Sequence, residues 1–302
     1  MAIKITFLGT GGSTPTKQRG LTGVALNFAG ENFLFDCPEG NQRQMMAAGV
    51  SYLKVHAVFF SHYHGDHVLG FPGLIATMNI HEREEPLKVF GPHGISEFVE
   101  NALRIAGIQE KFEIIPIEVR SGKILEERAF FVSAFPLRHN VPCYGYSFVE
   151  KGNLGKFNKE KALKLGIPEG PLFRQLQEGK TVKWKEKTFR PEQVLEKNLA
   201  RKDKKVSFVV DTMASPSYLE AIADSDILIH ESSFLEEMAE RARETQHCTA
   251  MQAAEIAKKS GAKALYLVHF SPRHKQSEKF ELEARRVFGN VVAAKDLMEV
   301  EL

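Results

Sequence analysis

The stretch Val58-Phe59-Phe60-Ser61-His62-Tyr63-His64-Gly65-Asp66-His67 decides how the chain is read. An apolar run over 57–60 stops at three histidines and an aspartate within six positions. Four such side chains do not make a hydrophobic core, and a solvated face does not follow directly on an apolar, strand-like run. Imidazole nitrogen and carboxylate oxygen are the ligands zinc takes where no thiolate is offered. On an extended segment, side chains two apart share a side, so His62 and His64 point together. Asp66 and His67, beyond a turn at Gly65, are directed to a second position. One metal needs three or four ligands, so two metals are the natural reading once further ligands arrive from elsewhere.

The run His62-x-His64-x-Asp66-His67 resembles the signature of the metallo-β-lactamase superfamily. Length alone leaves one large domain or two open. The 302 residues, 43% of them hydrophobic, suffice for a large core. Three scattered cysteines, Cys37, Cys143 and Cys248, argue against a disulfide framework and for a reducing compartment. The N-terminus alternates like a strand, and no apolar run approaches the ~18 residues of a membrane span. A soluble cytoplasmic protein with no membrane association is expected.

Apolar strand-like runs alternate with helical patterns in both halves, which predicts a layered α/β fold. Strands are expected over 3–8, 24–28, 32–36, 57–61, 87–90, 112–119, 130–137, 206–210, 227–229, 264–268 and 291–293. Helices are expected over 41–48, 96–106, 159–165, 191–199 and 277–288, after the histidine cluster with a break near Pro72 and Gly73, and after the Ser215-Pro216 cap. Thr249-Ala250-Met251-Gln252 reads as a capping box opening a helix that stops at Gly261.

His62, His139, Asp211, His230 and His269 each follow closely on an apolar run. Neighbouring strands end at one rim of a sheet, so the chain offers a common site for the missing ligands. His139 could complete a set with His62 and His64, and His269 one with Asp66 and His67. Asp211, with two carboxylate oxygens, could bridge them. His230 fits better as a support behind the site. Bound metals of this kind run hydrolysis. His247, two residues before the Thr249 cap, could give a proton to a leaving alkoxide, and Glu231 could orient its imidazole and raise its pKa.

Charge is uneven. Residues 151–205 hold sixteen Lys/Arg against seven Asp/Glu, a net of +9, in a chain whose formal charge is only +2. Within them, 151–190 break the alternation of elements and show no clear core-facing pattern, so they read as an insertion projecting from the core; its charge alone fits equally a local polyanion contact and a soluble, flexible Lys-rich loop.

Together, Phe7-Leu8-Gly9-Thr10, Asp36-Cys37-Pro38-Glu39-Gly40-Asn41-Gln42, the histidine cluster, Asp211-Thr212, His230-Glu231-Ser232-Ser233-Phe234, His247-Cys248-Thr249 and His269-Phe270-Ser271-Pro272-Arg273 resemble the ordered motifs of the ribonuclease Z family, in its short form. The resemblance runs from residue 3 to about 288. It implies a four-layer αβ/βα sandwich as a single metallo-β-lactamase domain over 1–302, two zinc ions per chain with manganese possible, and a homodimer. The implied reaction is removal of the 3′ trailer of precursor tRNA, leaving a tRNA 3′-hydroxyl and a trailer 5′-phosphate. Asp66, His247 and Glu231 are implied to be catalytic. The metal ligands it implies are His62, His64, Asp66, His67, His139, Asp211 and His269.

The family's tRNA-clamping arm corresponds to 151–190, with a tip at 166–172 and contacts from Lys159, Lys161, Lys164, Gly170, Pro171 and Arg174. Pro15-Thr16-Lys17-Gln18-Arg19-Gly20 resembles the family's nucleotide-sensing loop, with Lys17 and Arg19 as contacts. Apart from the resemblance, Arg273 and His274 could sit near the product phosphate. The chain departs from the pattern at Gly20, where Asn is usual, at Pro38 (Gly) and at Cys248 (Ser). The alternatives are a hydrolase of small phosphodiesters or thioesters on the same fold, and a non-catalytic RNA-binding module.

Overall fold

The computed structural model describes residues 2–109, 111–152, 155–196 and 202–302. Two seven-stranded sheets carry the architecture. The first runs, in spatial order, Glu299–Glu301, Ile3–Gly9, Gly23–Phe28, Glu31–Phe35, Val55–Phe59, Leu87–Gly91 and Ile114–Glu118. The second runs Val291–Ala293, Leu265–Val268, Ile227–Glu231, Lys204–Val209, Cys143–Glu150, Phe130–Leu137 and Gly122–Glu126.

Strand alternation explains the layering. In Glu31–Phe35, Leu34 packs under the helices while Phe33 and Phe35 face the other sheet. The interleaf is aromatic: Phe7 stacks on Tyr266 at 5.5 Å, Phe33 meets Phe148 at 5.2 Å, Phe35 meets Phe208 at 5.4 Å and Phe59 meets Tyr146 at 5.4 Å. Outside the first sheet lie helices Asn41–Ala47, Phe71–Ile80 and Ile95–Ile105, whose Met45, Phe71, Leu74, Met78 and Val99 share one core with Val58 and Phe60. Outside the second lie Ala250–Ser260 and Glu278–Ala284, with Ala253, Ala257 and Phe280 packed on Leu228 and Leu267. The result is helix, sheet, sheet, helix.

Thr249 and Gln252 form the reciprocal capping box, and Gly261 closes the helix in the left-handed region at φ 72°. Thr249→Ala should therefore cost about 1 kcal/mol, read as a fall of roughly 2–3 °C in Tm.

Several local expectations are corrected. The break expected near Pro72 and Gly73 is present but falls slightly earlier, at Leu69–Gly70, between helices Gly65–Val68 and Phe71–Ile80; Pro72 sits in the first turn of the second, where its missing N–H costs nothing. Gly73 lies within that helix and leaves room for Gln42, whose side chain bonds the Gly73 carbonyl and Thr77. Pro191–Gln193 is only a 3-10 turn, followed by the short strand Leu195–Glu196; the rest of the expected 191–199 helix lies outside the described residues. Ser215 does cap, but Pro216–Tyr218 is likewise a 3-10 turn. The last helix is shorter than expected, Glu278–Ala284.

The chain divides into two compact units. The larger holds both interleaf and site; the smaller comprises Glu126–Phe131 and Val149–Lys204. The smaller unit does have a core, contrary to the expectation for 151–190. Ala162, Ile167, Leu176, Val182, Phe189 and Val194 are buried against one another. They come from helices Lys159–Lys164 and Pro171–Gln177, the hairpin Val182–Trp184/Lys187–Phe189 and their connections. Each short element supplies only one or two apolar residues, so no periodicity shows. No helix among the described residues is long and apolar enough to cross a membrane.

Candidate metal centre

Strand ends assemble the site. Lys204–Val209, Ile227–Glu231 and Leu265–Val268 are parallel and in register, Val209 opposite His230 and Glu231 opposite Val268. Asp211, Glu231 and His269 therefore arrive at one rim. Asp36, Asp211 and His269 leave their strands with φ of 59°, 44° and 60°. Left-handed backbone at a non-glycine residue costs of order 1–3 kcal/mol and persists where a site requires it.

Three groups of side chains that could hold a metal result: His62, His64, His139 and Asp211; Asp66, His67 and His269; and Asp211, His247 and His269. In the first, His62 Nε2 lies 3.0 Å from His64 Nδ1, which lies 3.4 Å from His139 Nε2. Asp211 Oδ2 is 3.7 Å from His62 Nε2 and 3.9 Å from His139 Nε2. In the second, Asp66 Oδ2 is 3.6 Å from His67 Nε2 and 3.7 Å from His269 Nε2. Asp211 Oδ1 is 3.4 Å and 3.2 Å from the same two nitrogens. The two oxygens of one carboxylate thus serve the first two groups separately.

The chemistry fits cations. His67 Nε2, His269 Nε2 and Asp211 Oδ1 are buried without a hydrogen-bond partner, although buried polar atoms are nearly always satisfied. They converge on one point, where a cation would satisfy all three. Burial pushes the Asp66 and Asp211 carboxyls up, but the surrounding histidines, His269 and His67 foremost, hold both below the usual carboxylate range. Burial lowers His67, yet Asp211 and Asp36 lift it well above the ordinary imidazole value. So much carboxylate charge in a buried place calls for positive charge. Burial, with His67 adding to it, pushes His62 down to about 2, which keeps that ring neutral, the form in which imidazole can bind a metal. A metal cofactor is the group this site is built for.

The far nitrogens are held as metal ligands require. His67 Nδ1 meets Asp36 Oδ2 at 2.7 Å, and Asp36 accepts from Ser61 N–H at 2.8 Å. His62 Nδ1 meets Ser61 Oγ at 2.9 Å, His139 Nδ1 the Gln246 carbonyl at 3.3 Å, and His269 Nδ1 Ser233 Oγ at 3.0 Å. Asp36, Ser61 and Ser233 were not singled out as site residues from the sequence. Asp36 carried the signal, since it too follows directly on an apolar strand.

Beside the ligands, His247 Nδ1 lies 2.8 Å from Glu231 Oε1. Glu231 is wholly buried, and its oxygens also accept from Thr212 N–H, Ser233 N–H and Ser233 Oγ. Burial opposes charge on His247, but the Glu231 carboxylate overcomes it and raises the imidazole to about 9. His230 lies behind, between Tyr218 Oη at 3.1 Å and the Glu231 carbonyl. Cys248 donates to the Thr212 carbonyl at 2.9 Å, and Tyr63 packs on Phe98 and donates to the Pro92 carbonyl.

Arg273 is exposed on a cleft of about 170 Å³ that it shares with Ser13, Arg241, Ser271 and His247. Lys17 is exposed at a loop tip; Arg19 is half-buried, with its guanidinium 4.7 Å from the centre of the Phe270 ring. Lys159, Lys161, Lys164, Gly170, Pro171 and Arg174 are exposed on the smaller unit, where Lys159 pairs with Glu169 and Arg174 with Glu178.

Sandwich and site define a metallo-β-lactamase-fold protein. The metallo-beta-lactamase fold protein YhfI from Bacillus subtilis superposes with a TM-score of 0.72 at 19% identity, covering 100% of this chain and 99% of that one. Human tRNase Z, short form, gives a TM-score of 0.72 at 25% identity, covering 98% of each chain. A family model described as anti-Pycsar protein Apyc1 matches residues 3–131. Ribonuclease Z of Methanosarcina acetivorans is 42% identical over 99% of this chain and 98% of its own length. That of Nitrosopumilus maritimus is 38% identical over 99% and 100%. The chain belongs to the ribonuclease Z family.

Proposed function

We infer that this chain is a metal-dependent endoribonuclease that processes the 3′ end of precursor tRNA. The carrying observation is the partly buried His/Asp cluster that could hold metal, in a chain that matches ribonuclease Z over nearly its full length. In this reading His62, His64, His139 and Asp211 hold one zinc ion, and Asp66, His67, His269 and Asp211 hold a second. The second group, richer in oxygen, also suits manganese. When bound, such ions polarise a phosphoryl oxygen and acidify water.

The chain's own groups do the rest. Asp66 Oδ2 is fixed by Ser13 N–H at 2.8 Å, and the second oxygen of that carboxylate takes the proton of the attacking water. His247 gives its proton to the leaving 3′-oxygen while Glu231 holds the ring at Nδ1. The cut leaves a tRNA 3′-hydroxyl and a trailer 5′-phosphate. Arg273, Lys17 and Arg19 contact the strand near the cut. The basic segment 151–190, with Lys159, Lys161, Lys164, Gly170, Pro171 and Arg174, binds the tRNA body as an arm, through phosphates rather than bases. A cytoplasmic homodimer completes the reading.

Incubation with an intron-free precursor tRNA tests this. The expected cut lies just after the discriminator nucleotide, with a 5′-phosphate on the trailer. A 5′-hydroxyl would sink the mechanism. Cleavage of bis(p-nitrophenyl) phosphate with precursor tRNA left intact would favour a small-diester hydrolase. Binding of precursor tRNA with neither substrate cleaved would favour an RNA-binding module. Because the arm has its own core, it must be removed whole. Replacing residues 155–196 by a short Gly/Ser linker should weaken precursor binding at least about tenfold and leave the small diester cleaved. Equal loss on both would refute the arm.

A further inference from the structure

The loop after strand Ile3–Gly9 supports the metal site. Its base is closed by Thr10 N–H and Gly11 N–H to the Gly20 carbonyl and by Thr22 N–H to the Gly11 carbonyl. It is laced to the segment after His269: Phe270 N–H donates to the Thr10 carbonyl and Gly12 N–H to the Phe270 carbonyl. Gly12 lies against the His269 ring so closely that a Cβ would come within 2.6 Å of it. Ser13, at φ 65°, turns its N–H onto Asp66 Oδ2.

One side chain ties this loop to the frame. Asp296 Oδ1 accepts from Thr10 Oγ1 at 2.7 Å; Oδ2 accepts from Gly20 N–H at 2.6 Å and Gln44 Nε2 at 3.2 Å. Both ends of the loop are thus held by one carboxylate. Asp296 is itself fixed, because Leu297 N–H donates to the Phe7 carbonyl at 2.7 Å and Phe7 N–H to the Met298 carbonyl at 3.0 Å. Arg19 adds a second tie, donating to Thr10 Oγ1 at 2.7 Å.

We propose that Asp296 is a positioning residue for the reaction: it braces both ends of the Thr10–Gly20 loop so that Ser13 N–H holds Asp66 in place. The idea rests on the hydrolase reading above. It makes the segment that carries Lys17 also a support of a metal ligand. Outer partners of metal ligands typically matter about 10–100-fold.

The test compares Asp296→Ala and Asp296→Asn in the full chain, with three readouts: kcat and KM on bis(p-nitrophenyl) phosphate, the visible absorption of the Co2+-loaded protein, and Tm. The alanine variant should lower kcat about tenfold at unchanged KM and shift the Co2+ bands. The asparagine variant, which keeps one acceptor oxygen, should recover most of both. Wild-type kcat and Co2+ bands in the alanine variant would overturn the proposal, as would a fall in Tm with kcat unchanged. If the alanine variant does not fold, the asparagine variant decides: wild-type kcat and bands with Thr10→Val added would overturn it. If the wild type cleaves neither diester nor precursor tRNA, the hydrolase reading fails, and the Co2+ bands still decide the brace.

Discussion

Asp211→Asn should strip metal from both ligand groups and slow cleavage of precursor tRNA at least about a thousandfold. The reason is geometric. Asp211 Oδ2 faces His62 and His139, and Oδ1 faces His67 and His269. An amide keeps the shape but gives up the negative charge and one acceptor, so the bridge fails on at least one side and weakens on the other. His64→Ala removes a ligand from the first group alone. Metal analysis of the purified protein separates the two cases. The wild type should carry about two ions per chain, His64→Ala about one, and Asp211→Asn less than one. Because the asparagine variant is isosteric, unchanged far-UV circular dichroism would show that the loss is not unfolding. Full metal content in Asp211→Asn would overturn the bridging assignment.

The place of Asp211 among the histidines was legible because a strand-end residue declares itself in sequence. Asp211 follows the apolar run 206–210, as His269 follows 264–268, and both land on one rim of the second sheet; His62 does not share that rim, since it follows Val55–Phe59 of the first sheet and meets Asp211 from there. Distances and partners were not legible. Asp36 reads as the last residue of a strand, but that its left-handed backbone aims the carboxylate at His67 does not show in sequence. Strand Cys143–Glu150 left no alternation to detect, since nearly every residue in it is buried. Its Gly145 has a space requirement visible only in three dimensions, since a Cβ there would strike the Phe135 ring. The core of the smaller unit escaped for a related reason. Ile167 stands in what reads as a Gly/Pro tip and is 1% exposed, because its partners come from four other short elements. Local crowding of ligands and runs of apolar residues survive translation into sequence; single contacts between distant short elements do not.

His247→Ala should slow precursor tRNA cleavage about 10²–10⁴-fold while sparing diesters whose leaving group needs no proton. The departing 3′-oxygen of ribose is a poor leaving group and requires an acid; nitrophenolate does not. The pH dependence carries the sign. Glu231 raises His247 to about 9, so the acid form is fully present at neutral pH and is lost as pH rises through that value. The rate on precursor tRNA should accordingly fall above pH of about 9. Glu231→Gln removes the carboxylate 2.8 Å away, and the falling limb should move down toward the ordinary imidazole value of about 6.5. In His247→Ala that limb should vanish and leave a slow background. The same variants on bis(p-nitrophenyl) phosphate should stay near the wild-type rate, because no proton is needed there. If His247→Ala slows both substrates equally, the residue does not act as the acid, and its place beside Asp211 and His269 becomes one of support for the metal ligands.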